Sequence, residues 1–112
     1  MMAIHLFKRS PDINEWLRTF QQETEAVLLD VRTDEEYAQG HIPGSVHLEL
    51  GRESELPRIA PAPRTPLYVY CYSGSRSESA CKIFRRMGYP NVVNIGGIQA
   101  WKGAVEKGAR AL

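Results

Sequence analysis

A cysteine beside a loop of small residues is the feature of this chain most suited to covalent chemistry. Cys71 follows an apolar run at residues 67–70, and the sequence after it reads YSGSRS. Small side chains allow successive backbone N–H groups to turn inward and bind an anion. A helix that begins at about Ser77 adds unpaired N–H groups with partial positive charge. Both effects favour the thiolate, so we expect a lowered pKa for Cys71 and an activated nucleophile.

Arg76 adds a full cation to this loop, and solvent is the alternative direction for its side chain. No histidine that could act as a base stands next to the loop, as expected for a thiolate prepared by dipoles. The alternative for Cys71 is a buried cysteine in an ordinary strand-to-helix turn. Such a cysteine rarely precedes a Ser-Gly-Ser loop, so the nucleophile is the stronger interpretation.

The second cysteine, Cys81, is interpreted as a structural residue. It lies on the flank of the apolar face of a predicted helix, where a small hydrophobic residue is expected. A resolving role against Cys71 is the alternative, and the separation of ten positions disfavours it. Two cysteines make no disulfide framework, so both are expected to be free thiols.

Strands and helices alternate around Cys71, and their order predicts where the cysteine lies. Apolar runs predict strands at residues 26–30, 45–48, 67–70 and 92–95, with a short edge strand at residues 3–6. This alternation indicates an α/β fold with a central, mostly parallel sheet of about five strands and helices on both faces. In such sheets ligands bind beyond the carboxyl ends of the strands, where Cys71 falls.

Local signals predict the first and last helical segments. Ser10 is a suitable N-cap and Pro11 suits the first helical position. A last helical segment is predicted around Trp101. The first helix has an apolar stripe at helical spacing, formed by Ile13, Trp16, Leu17 and Phe20.

Two further helices and one stiff connection are predicted between these ends. The helices lie at residues 34–38, before Gly40, and at residues 77–87, before Gly88. Residues 56–66 contain four prolines, which predict a stiff surface connection inside the domain.

Composition predicts one soluble domain over residues 1–112. The chain is 43% hydrophobic and 24% charged, with a net charge of +1, so no broad field attracts nucleic acid or a membrane. The N-terminal residues lack the pattern of a signal peptide, and no apolar run is long enough to span a bilayer. A cytoplasmic location is therefore expected.

Three separate segments carry recognisable motifs. The first is LLDVRTDEEYAQGHIPGSVHL at residues 28–48, the second is CYSGSRS at residues 71–77, and the third is GGIQAW at residues 96–101. Together they resemble the single-domain rhodanese family of sulfurtransferases. One such segment is weak support, whereas three in the right order are strong support for this resemblance.

The resemblance implies that Cys71 accepts a sulfane sulfur from thiosulfate or a similar donor and becomes a persulfide. The persulfide would pass its sulfur to cyanide or to a cellular thiol, with a sulfur-relay protein as a further partner. Arg76 would assist an anionic donor, and no cofactor is implied. The loop would surround the outer sulfur, so the implied substrate-binding residues are Tyr72, Ser73, Gly74, Ser75, Arg76 and Ser77.

Other positions that resemble the family pattern are interpreted as structural. Asp30 and Arg32 stand two apart at a strand end and are expected to form an ion pair. Glu36 is expected to organise the loops at the strand ends, and His41 to be hydrogen-bonded in a turn. The three histidines are scattered along the chain, so no metal site is predicted.

Three alternatives to a free-standing enzyme stay open. A persulfide carrier needs the same loop, while a non-enzymatic rhodanese-like binding module often lacks the cysteine. A phosphatase or arsenate reductase of this fold needs one more residue than the four between Cys71 and Arg76. Many rhodaneses carry a cation where this chain has Tyr72, which weakens the case for thiosulfate. The Tyr72 ring either lines the mouth of the site or packs over the loop.

Overall fold

The computed structural model describes residues 10–108, and the centre of that part of the chain is a four-stranded sheet. The strands lie in the order β2-β1-β3-β4, and every neighbouring pair is parallel. The predicted parallel sheet is confirmed, with four strands over these residues in place of about five. The edge strand predicted at residues 3–6 lies outside the described residues. The strands are β1 (Val27–Asp30), β2 (Val46–His47), β3 (Leu67–Cys71) and β4 (Val92–Gly97).

Helices connect these strands, because parallel neighbours require crossover connections. Two single-turn 3-10 helices span Glu53–Glu55 and Ile98–Ala100. The second of these lies where the last helical segment is predicted, around Ala100 and Trp101, and it ends at Ala100. The α-helices of the described residues are α1 (Ile13–Gln21), α2 (Asp34–Gln39), α3 (Leu56–Ile59) and α4 (Ser75–Arg86).

Alternate residues of β3 point to two separate cores, one on each face of the sheet. Val69 and Cys71 pack in one cluster with Phe84 of α4. Tyr68 and Tyr70 pack in the other cluster, which includes the buried residues of α1. All five residues of β3 are buried, as expected for a strand covered on both faces. The prediction of helices on both faces is therefore confirmed, and Cys71 lies on the α4 side.

Helix α1 begins later than Ser10 and Pro11 predict. Its N-cap is Asp12, whose Oδ1 accepts a hydrogen bond from the Glu15 N–H at 3.0 Å. In return, Glu15 Oε1 accepts a hydrogen bond from the Asp12 N–H at 2.8 Å. The sequence prediction is wrong because this reciprocal pair satisfies two N–H groups, which a lone serine cap does not.

The proline-rich segment at residues 56–66 is only partly a surface connection, which corrects the prediction. Its first turn is α3, which starts at the fully buried Leu56. Pro57 lies in the first turn of that helix, where a missing N–H has no consequence. The Tyr89 hydroxyl donates a hydrogen bond to the Ala60 carbonyl at 2.7 Å and attaches the end of the turn to the core.

Helix α4 begins at Ser75, two residues before the predicted start at Ser77. Gly74 is its N-cap and has a φ of +106°, a left-handed conformation that glycine adopts without strain. This sharp turn starts the helix at once, so Ser77 lies in its first turn. The loop proper is therefore short, at residues 72–74.

Candidate active site

The sulfur of Cys71 lies at the carboxyl end of β3, inside the turn that leads to α4. The Gly74 N–H donates a hydrogen bond to Cys71 Sγ at 3.0 Å, and the Ser77 hydroxyl oxygen lies 3.3 Å from the same sulfur. The N–H groups of Ser73 and Ser77 also donate to it. Cys71 is only 1% exposed. The turn therefore encloses the sulfur in hydrogen-bond donors.

Two opposite effects act on the pKa of Cys71. Burial is the largest single effect, and it raises the pKa because the thiolate loses its hydration. The donors from Ser77, Gly74 and Ser73 favour the thiolate, and together they outweigh burial, so the pKa of Cys71 is lower than that of an ordinary thiol. Cys81 has no such donors, and burial raises its pKa to about 12. The Cys81 thiol stays protonated at neutral pH, in agreement with a structural residue.

The Ser77 hydroxyl has two neighbours for its single hydrogen. Its oxygen lies 3.3 Å from Cys71 Sγ and 2.7 Å from Asn94 Oδ1. A hydroxyl donates one hydrogen bond at a time and accepts others. It can donate to Asn94 while Cys71 is a thiol and turn to the sulfur when Cys71 is a thiolate. Ser77 is fully buried, so bulk solvent does not compete for this hydrogen.

Asn94, which lies inside β4, ties this strand to the start of α4. Its Nδ2 donates a hydrogen bond to the Gly74 carbonyl at 2.9 Å, and its Oδ1 accepts one from the Gly96 N–H at 3.0 Å. These two contacts orient the amide so that its oxygen faces Ser77. The sequence analysis missed Asn94, and the signal for it is a polar amide inside an otherwise apolar strand.

The close approach of β4 to the turn requires a glycine at position 97. Gly97 pairs with Cys71 in the sheet, and its φ of −125° is ordinary for any residue. A Cβ placed there would lie 2.0 Å from the Tyr72 carbonyl oxygen and 2.5 Å from Ser73 Cα. The glycine is therefore required for space, which explains physically why the motif at residues 96–101 accompanies the cysteine loop.

The guanidinium of Arg76 forms a bidentate ion pair with Glu36 of α2. Arg76 Nη1 donates to Glu36 Oε1 at 2.7 Å, and Nη2 donates to Oε2 at 3.0 Å. The hydrogen bond with Arg76 is the main reason that the pKa of Glu36 is lowered to about 2. The sequence analysis included both residues but did not pair them, because 40 positions separate them.

Glu36 is itself held in place by the start of α2. Its Oε1 accepts hydrogen bonds from the Thr33 N–H at 3.0 Å and from the Thr33 hydroxyl at 3.1 Å. The Glu36 N–H donates in return to Thr33 Oγ1 at 3.2 Å. This capping box fixes the rotamer of the carboxylate. Arg76 therefore faces a rigid partner.

Asp30 and Arg32 form the structural ion pair expected from their spacing. Arg32 Nη2 donates to Asp30 Oδ2 at 2.8 Å and to the Gly40 carbonyl at 2.7 Å. His41 Nδ1 lies 2.8 Å from the Tyr37 carbonyl oxygen, and its ring stacks on the Tyr37 ring with centroids 3.7 Å apart. These contacts brace the segment after α2 against the end of β1.

A cavity of about 320 Å³ lies beside the turn. Tyr72 forms part of its wall and is 52% exposed, so its ring lines this opening instead of packing over the loop. The charged side chains in the wall are Arg32 and Glu36, and both are already in ion pairs. The remaining wall residues are Gln39, Gly40 and Ile98.

The side chains of Ser73 and Ser75 are exposed. Ser73 acts on the sulfur through its backbone N–H, and Ser75 is the first residue of α4. Between residues 10 and 108, no group of histidine, cysteine and carboxylate side chains is arranged to hold a metal ion. Across the same part of the chain, every helix is too short or too polar to cross a bilayer.

Comparison with known families identifies the class of protein. The model of the rhodanese-like domain family matches residues 14–104, which is most of the described chain. The chain therefore belongs to the rhodanese-like domain family, as the three sequence segments predict.

The relatives include both sulfurtransferases and a sulfur carrier. YrkF, a putative sulfur carrier protein of Bacillus subtilis, is 34% identical over 110 residues, or 94% of this chain and 52% of YrkF. This chain thus spans about half the length of that relative. A sulfurtransferase of Allochromatium vinosum is 42% identical over 85 residues, which cover 70% of this chain and 75% of the relative. The thiosulfate sulfurtransferase GlpE of Pseudomonas entomophila is 37% identical over 78 residues, with coverages of 69% and 71%.

A solved structure also agrees with the assignment. A rhodanese from E. coli, solved with anions, superposes with a TM-score of 0.70 at 31% identity. The match covers 74% of this chain and 99% of that structure. Sequence relatives and structure together support a sulfurtransferase family.

Proposed function

We propose that this protein is a sulfurtransferase that carries a sulfane sulfur as a persulfide on Cys71. The observation behind the proposal is the turn around Cys71 Sγ, in which hydrogen-bond donors outweigh burial and lower the pKa of the thiol. A lowered pKa increases the fraction of Cys71 that is a thiolate, and the thiolate is the nucleophile. The donors of residues 72–77 also suit the negative terminal sulfur of a persulfide.

With thiosulfate as the donor, the Cys71 thiolate attacks the sulfane sulfur. A bond forms between the two sulfur atoms, the bond to the sulfonate sulfur breaks, and sulfite leaves with the electron pair. Cys71 then carries an anionic persulfide that faces the N–H groups of the turn. A thiol or cyanide acceptor attacks the terminal sulfur, and Cys71 leaves as a thiolate.

Mass spectrometry of the intact protein after incubation with thiosulfate tests this assignment. We expect a gain of one sulfur atom in the wild type and in Cys81→Ala, and no gain in Cys71→Ala. A sulfur adduct that persists in Cys71→Ala would contradict the proposal. Assaying p-nitrophenyl phosphate in parallel tests the phosphatase alternative, and turnover of this substrate would favour it.

A persulfide carrier is the second candidate, because YrkF is described as a putative sulfur carrier protein. The two functions differ in turnover. An enzyme forms thiocyanate repeatedly from thiosulfate and cyanide, whereas a carrier is loaded once and releases its sulfur slowly to small acceptors. Comparing the amount of thiocyanate with the amount of protein separates them.

A further inference from the structure

The turn around Cys71 contains one cationic side chain, and that cation is already neutralised. Arg76 is paired through both of its terminal nitrogens with Glu36, at 2.7 Å and 3.0 Å. Because the pKa of Glu36 is about 2, the carboxylate is ionised at every pH near neutrality. The capping box with Thr33 holds the Glu36 carboxylate beside Arg76. The pair therefore presents almost no net charge to an incoming donor.

Within the described part of the chain, the wall of the cavity beside the turn likewise has no uncompensated positive side chain. Arg32 lies in its wall, but Asp30 binds that guanidinium in a buried ion pair at 2.8 Å. The remaining described wall residues, apart from Glu36, are uncharged. A dianion that enters this cavity would therefore meet no uncompensated positive side chain among the described residues of its wall.

We propose that Glu36 is a specificity-determining residue that neutralises Arg76 and so disfavours dianionic sulfur donors relative to donors with one negative charge or none. This inference rests on the proposed function of Cys71. Thiosulfate brings two negative charges to a thiolate, and sulfite leaves with both of them. A small alkyl persulfide, R–S–SH, transfers its terminal sulfur to the thiolate and leaves as R–S⁻, so less negative charge meets at the turn. The cavity volume of about 320 Å³ suits such a small molecule.

Glu36→Gln removes the negative charge of this side chain while preserving its structural contact. Glutamine keeps the side-chain oxygen that completes the capping box with Thr33, but it leaves the charge of Arg76 uncompensated. We expect kcat/KM for loading Cys71 from thiosulfate to rise by about fivefold to tenfold at low ionic strength. Added salt should reduce the gain, because the new charge is partly exposed to solvent.

Hydroxyethyl persulfide is the matched donor without the second charge. Its rate of loading onto Cys71 should rise by at most about threefold in Glu36→Gln, because a donor with one charge gains no more than half of the interaction energy that thiosulfate gains. This rate also shows that the turn of the variant is intact. A gain of similar size for both donors would contradict a role for Glu36 in donor choice.

Two further variants test whether the change in donor preference depends on Glu36 itself or only on the net charge of the protein. Glu35→Gln changes the net charge equally on the same helix, at an exposed position that does not contact Arg76. It should leave the ratio of the two donor rates unchanged. Adding Arg76→Ala to Glu36→Gln should abolish the gain with thiosulfate.

The outcomes distinguish this inference from the proposed function. If neither donor adds sulfur to wild-type Cys71, the proposed function itself fails. If both donors load Cys71 but Glu36→Gln leaves their ratio unchanged, only the role of Glu36 is overturned.

Discussion

Replacing Ser77 by alanine isolates one of the groups that lower the pKa of Cys71. The substitution removes the hydroxyl oxygen that lies 3.3 Å from Sγ, and it keeps the backbone N–H that also donates to the sulfur. Alanine is smaller than serine and a better helix former, so α4 should be preserved. Asn94 Oδ1 loses one donor but keeps the Gly96 N–H at 3.0 Å.

The size of the effect follows from what the hydroxyl contributes to the thiolate. A hydrogen bond to a charged group is worth about 1.5–3 kcal/mol. The hydrogen is shared with Asn94 and the distance to sulfur is long, so we take the lower value of about 1.5 kcal/mol. Its loss raises the pKa of Cys71, and below that pKa the thiolate population should fall about tenfold.

The effect of Ser77→Ala on the alkylation rate of Cys71 should depend on pH. At pH values below the wild-type pKa of Cys71, alkylation of Cys71 by iodoacetamide should be about tenfold slower in Ser77→Ala than in the wild type. At pH values above the pKa of Cys71 in both proteins, the rates should converge, and the variant should be slightly faster because a higher pKa gives a stronger nucleophile.

A pH series of alkylation rates in a Cys81→Ala background gives the pH midpoint of the rate profile, which reports the pKa of Cys71. Ser79→Ala, which changes an exposed serine of the same helix, is the matched control and should reproduce the profile of the background protein. A midpoint in Ser77→Ala that stays in place or moves to lower pH would refute the argument that the hydroxyl stabilises the thiolate.

Two other substitutions test how the fold supports the site. Gly97→Ala brings a Cβ to 2.0 Å from the Tyr72 carbonyl oxygen, so we expect a displaced turn, a loss of about 1–3 kcal/mol in denaturant unfolding and slower sulfur loading of Cys71. Gly51→Ala, where nothing lies within 4 Å of the added Cβ, is the control for loading and should leave it unchanged. Because the pKa of Glu36 is lowered from 4.5 to about 2, its ion pair stabilises the fold fully above the unfolded pKa and loses this effect as the pH falls towards 2. Both side chains of the pair are about one third exposed, so the difference between wild type and Glu36→Gln over this window should be about 1 kcal/mol or less, and an equal acid dependence in both proteins would contradict it.

The position of Cys71 could be predicted because it depends on neighbours in sequence. An apolar run that is buried on both faces reads as a parallel strand, and the small residues after it read as a turn. The structure places Cys71 as the last residue of β3, with Gly74 as the N-cap of α4. Cys81 was predictable for the same reason, since its place on an apolar helix face is a local property.

Some local features were still misjudged. The start of α1 depends on the reciprocal contacts of Asp12 and Glu15, and a Ser-Pro signal nearby suggested an earlier start. The first turn of the proline-rich segment is helical because Leu56 is buried in the core. In both places, competing local signals were present, and tertiary packing or a second hydrogen bond decided between them.

Periodicity and short motifs were enough to assign the family, the order of strands and helices, and the cysteine at the end of a strand, because these signals act over a few neighbouring residues. Which groups surround that cysteine depends on how the whole chain folds. Glu36 meets Arg76 from 40 positions away, and Asn94 meets Ser77 from 17 positions away. Glu36 follows β1 and Arg76 follows β3, and these parallel neighbours bring their carboxyl ends to one edge of the sheet. Asn94 lies inside β4, beside the start of α4. No local pattern of residue types specifies which side chains face one another there.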